Sequence, residues 1–131
     1  MTIPIVYLAC PYTDPNPAVR LGRYKLATKA AAYIATHGLV VYSPITMTHP
    51  MDLIMGGMTK KPNSNYWYEF DEAFMEVCAR MIVLMIDGWE SSKGVKREID
   101  FFNRKRRQII YLPPDELRKP WSNILELRKY D

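Results

Sequence analysis

The sequence predicts an α/β fold: a small doubly wound parallel sheet of the flavodoxin or Rossmann kind, with four to five strands and flanking helices. Three observations predict it. Apolar runs rich in β-formers at 3–9, 39–43, 82–86 and 108–112 read as strands buried on both faces. The stretches between them carry helical periodicity and helix end signals. A strand, a helix of about twenty residues and another strand form the βαβ unit, whose strands pair in parallel. The 131 residues suit one domain, 1–131, long enough for a core without disulfides or metals.

The first strand, 3–9, runs into a turn cluster that opens with Cys10-Pro11. Asn16 before Pro17 fits a helix N-cap with proline at the first helical position. The helix extends from about 18 to 37 with Tyr24, Ala27, Ala31 and Ile34 on one face, and Gly38 ends it. Residues 39–43 form the second strand, stopped by Pro44. Residues 44–65 hold three prolines, Gly56-Gly57 and four methionines with little periodicity. They read as a long loop or lid over the sheet's crevice. Alternatively, Met51, Leu53, Ile54, Met55 and Met58 belong to a subunit interface. His49 lies here, either a solvated loop side chain or a site residue.

Residues 66–78 form the next helix. Asp71, Phe74, Met75 and Cys78 recur at helical spacing, which puts Asp71 on the apolar row. A charge there is costly unless paired, so Asp71 is either a structural partner or a site residue. The strand 82–86 breaks at Asp87-Gly88, and a helix resumes at Gly94 or Val95. The block Arg104-Lys-Arg-Arg107 closes that helix, where cations suit the dipole. After strand 108–112 and Pro113-Pro114, the remainder reads as a short terminal helix with Trp121, Ile124 and Leu125 or Leu127 facing inward.

In an open α/β sheet, ligands bind beyond the carboxyl ends of the strands. That places Asp87, Ser91, Ser92 and the start of the following helix in the crevice, with Tyr7 on the same rim. Glu98 falls at the edge of the apolar stripe Val95, Ile99 and Phe102, while Lys96, Arg97 and Asp100 point elsewhere. A partly desolvated carboxylate there can act as base or nucleophile. The plainer alternative is a first-turn glutamate compensating the helix dipole. GxGxxG, GxxxxGK[ST] and GxSxG are absent, which removes dinucleotide, P-loop and serine-hydrolase readings. The remaining carboxylates suit attack on, or protonation of, a glycosidic bond, and would equally suit holding Mg²⁺.

The motifs Tyr7-Leu-Ala-Cys-Pro-Tyr12, Tyr42-Ser-Pro-Ile45 with His49-Pro50, Asp71 ahead of Cys78, and Asp87-Gly-Trp with Ser92-Lys-Gly-Val-Lys-Arg-Glu98-Ile99 together resemble the nucleoside 2-deoxyribosyltransferase superfamily, and within it the DUF1937 branch. The resemblance spans Tyr7 to about Leu112. It implies cleavage or transfer of the N-glycosidic bond of a nucleoside or nucleoside 5′-monophosphate. By that resemblance Glu98 is the nucleophile at C1′, and Asp71 orients it or handles the leaving base's proton. Ser92 and the amides around Gly94 hold a 5′-hydroxyl or 5′-phosphate, and Tyr7 sets the nucleophile's geometry. Three departures stand out: Cys10-Pro11 replaces Gly-Pro, Cys78-Ala79 stands where a Cys-Asp or Ala-Asp pair is common, and Tyr12-Thr13 replaces a basic residue, for which Arg20 or Arg23 would substitute. A non-catalytic nucleotide-binding or sensing module on the same fold is the alternative.

No cofactor or metal is expected. Cys10 and Cys78 read as free thiols of a reducing cytoplasm, and they form no zinc motif. No apolar run is long enough to span a membrane and no signal-like start is present, so a cytoplasmic protein without a membrane partner is expected. The net charge of +4 owes much to Arg104–Arg107. That block reads as a solvated helix cap, so nucleic acid is not an expected partner. The resemblance also implies a homo-oligomer, dimer or tetramer.

Overall fold

A computed structural model describes residues 3–127. Four parallel strands, β1 (Ile5–Ala9), β2 (Val40–Tyr42), β3 (Arg80–Leu84) and β4 (Gln108–Leu112), form one sheet in the order β2-β1-β3-β4. Four helices accompany them: α1 (Pro17–Thr36), α2 (Pro44–Met55), α3 (Ser64–Val77) and α4 (Lys93–Arg104). Alternate side chains of each strand enter opposite cores. Val6, Leu8, Ile82 and Leu84 pack with Ala27, Ala30 and Ile34 of α1 and Ile45 of α2. Tyr7, Ala9, Met81 and Val83 pack on the other face with Met75 of α3 and with Val95 and Phe102 of α4. This is the doubly wound arrangement. The chain leaves β1 toward β2 but enters β4 from β3, so the topological switch lies where β1 and β3 end.

Local signals account for most boundaries. The Asn16 side chain accepts from the Ala18 N–H at 2.9 Å, and Pro17 opens α1. Gly38, with φ of +79°, turns the chain into β2. The central strand begins at Arg80, two residues before the apolar run, and ends at Leu84.

The expectation of a loop over 44–65 is corrected by α2. Pro44 stands at its first turn, where no N–H is missed, and Pro50 lies inside it. Tertiary contacts hold this helix where propensity would not. Ile45 and His49 are buried, Thr46 Oγ1 lies 2.9 Å from Thr28 Oγ1 of α1, and His49 stacks on Tyr24 at 4.4 Å. Residues 56–63 remain irregular.

The terminal helix is also corrected: among the described residues this segment forms two 3-10 turns, Pro114–Arg118 and Asn123–Leu125. Pro113, Pro114 and Pro120 lack an N–H to give and break the described segment into short turns. Trp121 is exposed rather than inward, and Leu125 fills the core. A clasp holds this segment to α1. His37 Nε2 accepts from the buried Ser122 N–H at 3.1 Å, so Nδ1 carries the ring proton and donates to the Tyr33 carbonyl at 2.9 Å. Trp121 lies on the same imidazole at 4.0 Å. His37→Ala is therefore expected to lower stability by about 2 kcal/mol, from one unmade buried hydrogen bond and one lost ring contact. Urea unfolding checks this, and an unchanged midpoint would remove the clasp's role.

Candidate functional site

At the switch point the carboxyl ends of β1 and β3 open into a cleft of about 980 Å³. Its α4 side is built by Ser92, Gly94, Val95, Arg97 and Glu98, and α3 adds Trp67, Tyr68 and Asp71. The loop after β1, α1 and α2 supply the rest, including Tyr12, Arg20, Arg23 and Asp52.

Glu98 is buried, 7% exposed. It stands within the buried row Val95, Glu98, Phe101 and Phe102, not at its edge, while Ile99 is only half-buried. Its Oε2 accepts a hydrogen bond from the hydroxyl of Tyr7, whose side chain is fully enclosed. Tyr7 is held between the rings of Tyr42 and Phe102, at 6.0 and 5.9 Å. Burial pushes the Glu98 carboxyl up to about 8; the Tyr7 hydrogen bond lowers it, the Asp71 charge raises it, and Arg97 lowers it. Burial also raises Asp71, to about 6, against the pull of Arg97. Burial, followed by the charges of Glu98 and Asp71, keeps the Tyr7 phenol well above its ordinary range, so it remains a donor. Two coupled carboxyls thus share one environment, with one of them buried.

Ser92 caps α4: its Oγ accepts from the Val95 N–H at 3.2 Å. Ser92, Lys93 and Gly94, at the positive end of the α4 dipole, line the cleft. Ser91 lines the cleft and donates to the Gly88 carbonyl at 3.3 Å. Gly88 has φ of +92°, and a Cβ there would meet Arg23 Nη2 at 2.7 Å. Arg23 Nη1 donates to the Thr13 carbonyl at 3.1 Å, so its guanidinium spans the loops after β1 and β3. Arg20 donates to the Asp14 carbonyl and also lines the cleft.

The cleft brings together Glu98, Asp71, Ser91, Ser92, Gly94, Arg20 and Arg23, with Tyr7 directly behind Glu98. Three expected residues are placed elsewhere. Asp87 is exposed and outside the cleft lining, because β3 ends three residues earlier and the turn at Gly88 carries Asp87 outward. Pro11 is buried beneath the loop and forms none of the wall. His49 is neither solvated nor on a loop; it is buried on α2, behind Tyr12. Arg97 corrects an omission. Although its Cα lies off the Glu98 stripe, its long side chain reaches back to the cleft, with the guanidinium 3.8 Å over the Tyr68 ring. Tyr12 and Asp52 were also not anticipated. The spacing of His49 and Asp52 becomes informative only once 44–55 is a helix.

Other groups serve the scaffold. Arg107 donates to the carbonyls of Met75 and Cys78, at 2.8 and 3.0 Å, closing the end of α3. Lys105 pairs with Glu76 at 3.1 Å. Burial pushes the Cys10 thiol up to about 12 and that of Cys78 up to about 11, which leaves neither as a ready nucleophile. Among the described residues no three His, Cys, Asp or Glu side chains gather to hold a metal ion. No described helix is long and apolar enough to cross a membrane.

No curated protein matches the chain in sequence. A family model described as a domain of unknown function, DUF1937, matches residues 4–112, which take in all four strands and every cleft residue named above. The chain belongs to the DUF1937 family.

Proposed function

We propose that this protein cleaves or transfers the N-glycosidic bond of a nucleoside or nucleoside 5′-monophosphate, with Glu98 as the nucleophile. The observation that carries the proposal is the buried Glu98 carboxyl, aimed by the Tyr7 hydroxyl, with Asp71 on the same cleft. The resemblance to nucleoside 2-deoxyribosyltransferases supports the same assignment.

The chemistry follows from the pair. In the neutral range, Glu98 and Asp71 together hold one proton, between limits near 8 and 6. A sugar over Glu98 develops oxocarbenium charge at C1′, which favours the ionised form of the carboxyl beneath it. The shared proton, which rests on Glu98 as the carboxyl of higher value, passes to Asp71 as that charge develops; the C1′–N bond then breaks with its electron pair going to the base, the Asp71 proton neutralises that base, and the freed Glu98 carboxylate forms an ester with C1′. Water, or a second base in a transferase, then attacks C1′; Asp71 takes the proton and Glu98 leaves as carboxylate. Ser92 and the amides around Gly94 would hold the 5′-hydroxyl or 5′-phosphate. The cleft cations Arg20, Arg23, Lys93 and Arg97 suit an anionic substrate, which favours the hydrolase of a monophosphate.

A homo-oligomer belongs to the same proposal. The outer face of α2 and the turn beyond it expose Met47, Leu53, Ile54 and Met58, and Tyr66 and Tyr68 stand exposed on α3. A second copy would cover this apolar surface.

The test is incubation of the wild type and Glu98→Ala with ribo- and deoxyribonucleosides and their 5′-monophosphates, reading released base by chromatography. Release by the wild type alone, confined to one substrate class, is the expected result. Binding without release from any member would assign a sensing module instead.

A further inference from the structure

On the α1–α2 side of the cleft, three side chains that the cleavage chemistry does not use form a connected chain. The Tyr12 hydroxyl lies 2.8 Å from His49 Nδ1 and 3.0 Å from Asp52 Oδ2. A phenol has one proton to give, and the carboxylate is the stronger acceptor. Tyr12 therefore donates to Asp52, and His49 Nδ1–H donates to the Tyr12 oxygen. The imidazole is clamped, stacked on Tyr24 at 4.4 Å and edge-on to Tyr12 at 5.7 Å. It is only 3% exposed, and its Nε2 has no hydrogen-bond partner among the described residues, so nothing draws the ring another way. Burial and the bond to Asp52 push the Tyr12 phenol up to about 12, which keeps it a donor.

Asp52 is exposed on the helix surface, yet one of its carboxylate oxygens is pinned to the cleft wall through two rigid rings. The other oxygen makes no hydrogen bond among the described residues, and Asp52 lines the cleft, where a carboxylate acts as a pure acceptor. Arg20 also hydrogen-bonds the Tyr12 phenol, whereas no ion pair joins Arg20 to Asp52 among the described residues. A nucleobase reaching this wall from a sugar on Glu98 would present its ring edge to a carboxylate. An exocyclic amine there gains a charge-assisted hydrogen bond, whereas a carbonyl oxygen faces another acceptor.

We propose that Asp52, positioned through Tyr12 and His49, selects the nucleobase, favouring bases that carry an exocyclic amine over their oxo counterparts. The inference rests on the glycosidic-bond function proposed above and names its substrate class.

Two matched pairs test it: the deoxynucleosides and 5′-monophosphates of cytosine against uracil, and of adenine against hypoxanthine. In the full-length wild type, kcat/KM should favour the amine-bearing member by about tenfold or more. Asp52→Asn should bring both ratios near one, because an amide donates as well as accepts. His49→Ala should shrink the ratio through KM of the amine-bearing member alone; a mere fold defect would slow both members alike. Turnover of both members with ratios near one in the wild type would overturn the inference and leave the cleavage chemistry intact. Titration of Glu98→Gln with the same pairs separates the two ideas. Amine-selective binding with no turnover by the wild type would support Asp52 and overturn cleavage, and no binding of any member would overturn both.

Discussion

Glu98→Gln is expected to abolish base release while making the protein more stable in alkaline solution. The loss in kcat should be at least about a thousandfold, as for removal of a covalent nucleophile that acts as part of a unit. Glutamine keeps the size of the side chain and an oxygen to accept from Tyr7, so the aromatic floor beneath it is unchanged. What it loses is the negative charge, both for attack at C1′ and as a burden on the fold.

Folding raises the Glu98 carboxyl from 4.5 to about 8, with burial the leading cause. A group raised in this way contributes stability that is fully present below its unfolded value and is lost as pH climbs through the folded one. Between pH 4.5 and about 8 the wild type therefore gives up a contribution with a ceiling of about 5 kcal/mol, taking 1.36 kcal/mol per pH unit. Asp71, raised from 3.8 to about 6, adds a smaller loss in the acid part of that range. At pH 5 wild type and Glu98→Gln should unfold at similar urea concentrations, and at pH 9 the variant should be several kcal/mol more stable. A gap that stays constant from pH 5 to 9 would mean that Glu98 is not desolvated in solution.

The parts of this site that sequence reasoning reached are those encoded by local rules. Asn16-Pro17 and Gly38 bound α1 because capping and positive φ are properties of a few neighbouring residues. The apolar runs give the strands, and strand order then forces Glu98, Ser92 and Tyr7 to one end of the sheet. Other parts depend on partners far away in sequence. The 44–55 segment has a proline at its centre and weak periodicity, and it is helical because α1 offers Tyr24 and Thr28 to His49 and Thr46. A loop over the same residues gives His49 and Asp52 no common face and Tyr12 no partner. Arg97 was misplaced for a different reason: helical-wheel angles locate Cα atoms, and a long cationic side chain ends several ångströms away. β3 ends two residues before the expected strand end, enough to turn Asp87 from a cleft carboxylate out to solvent.

The pH profile of kcat/KM should be a bell with its maximum near pH 7 and limbs near 6 and 8, because the active form is the carboxyl pair holding a single proton. Two substitutions should distort this bell in different ways. In Asp71→Asn no second carboxyl remains to protonate the leaving base, and Glu98 needs only to be ionised. The descending limb should vanish, leaving a single ascending limb at a reduced plateau. That limb should lie lower than the resting Glu98 value, since the Asp71 charge that raises Glu98 is gone. In Tyr7→Phe the pair is intact, but the hydrogen bond that lowers Glu98 is lost. The descending limb should persist and move to higher pH. Activity at pH 7 should fall about tenfold or more, the worth of one hydrogen bond to a charged group. A bell that survives in Asp71→Asn would show that the leaving base takes its proton from another group. A Tyr7→Phe profile with an unmoved descending limb would show that the phenol shapes the pocket without setting the nucleophile's charge.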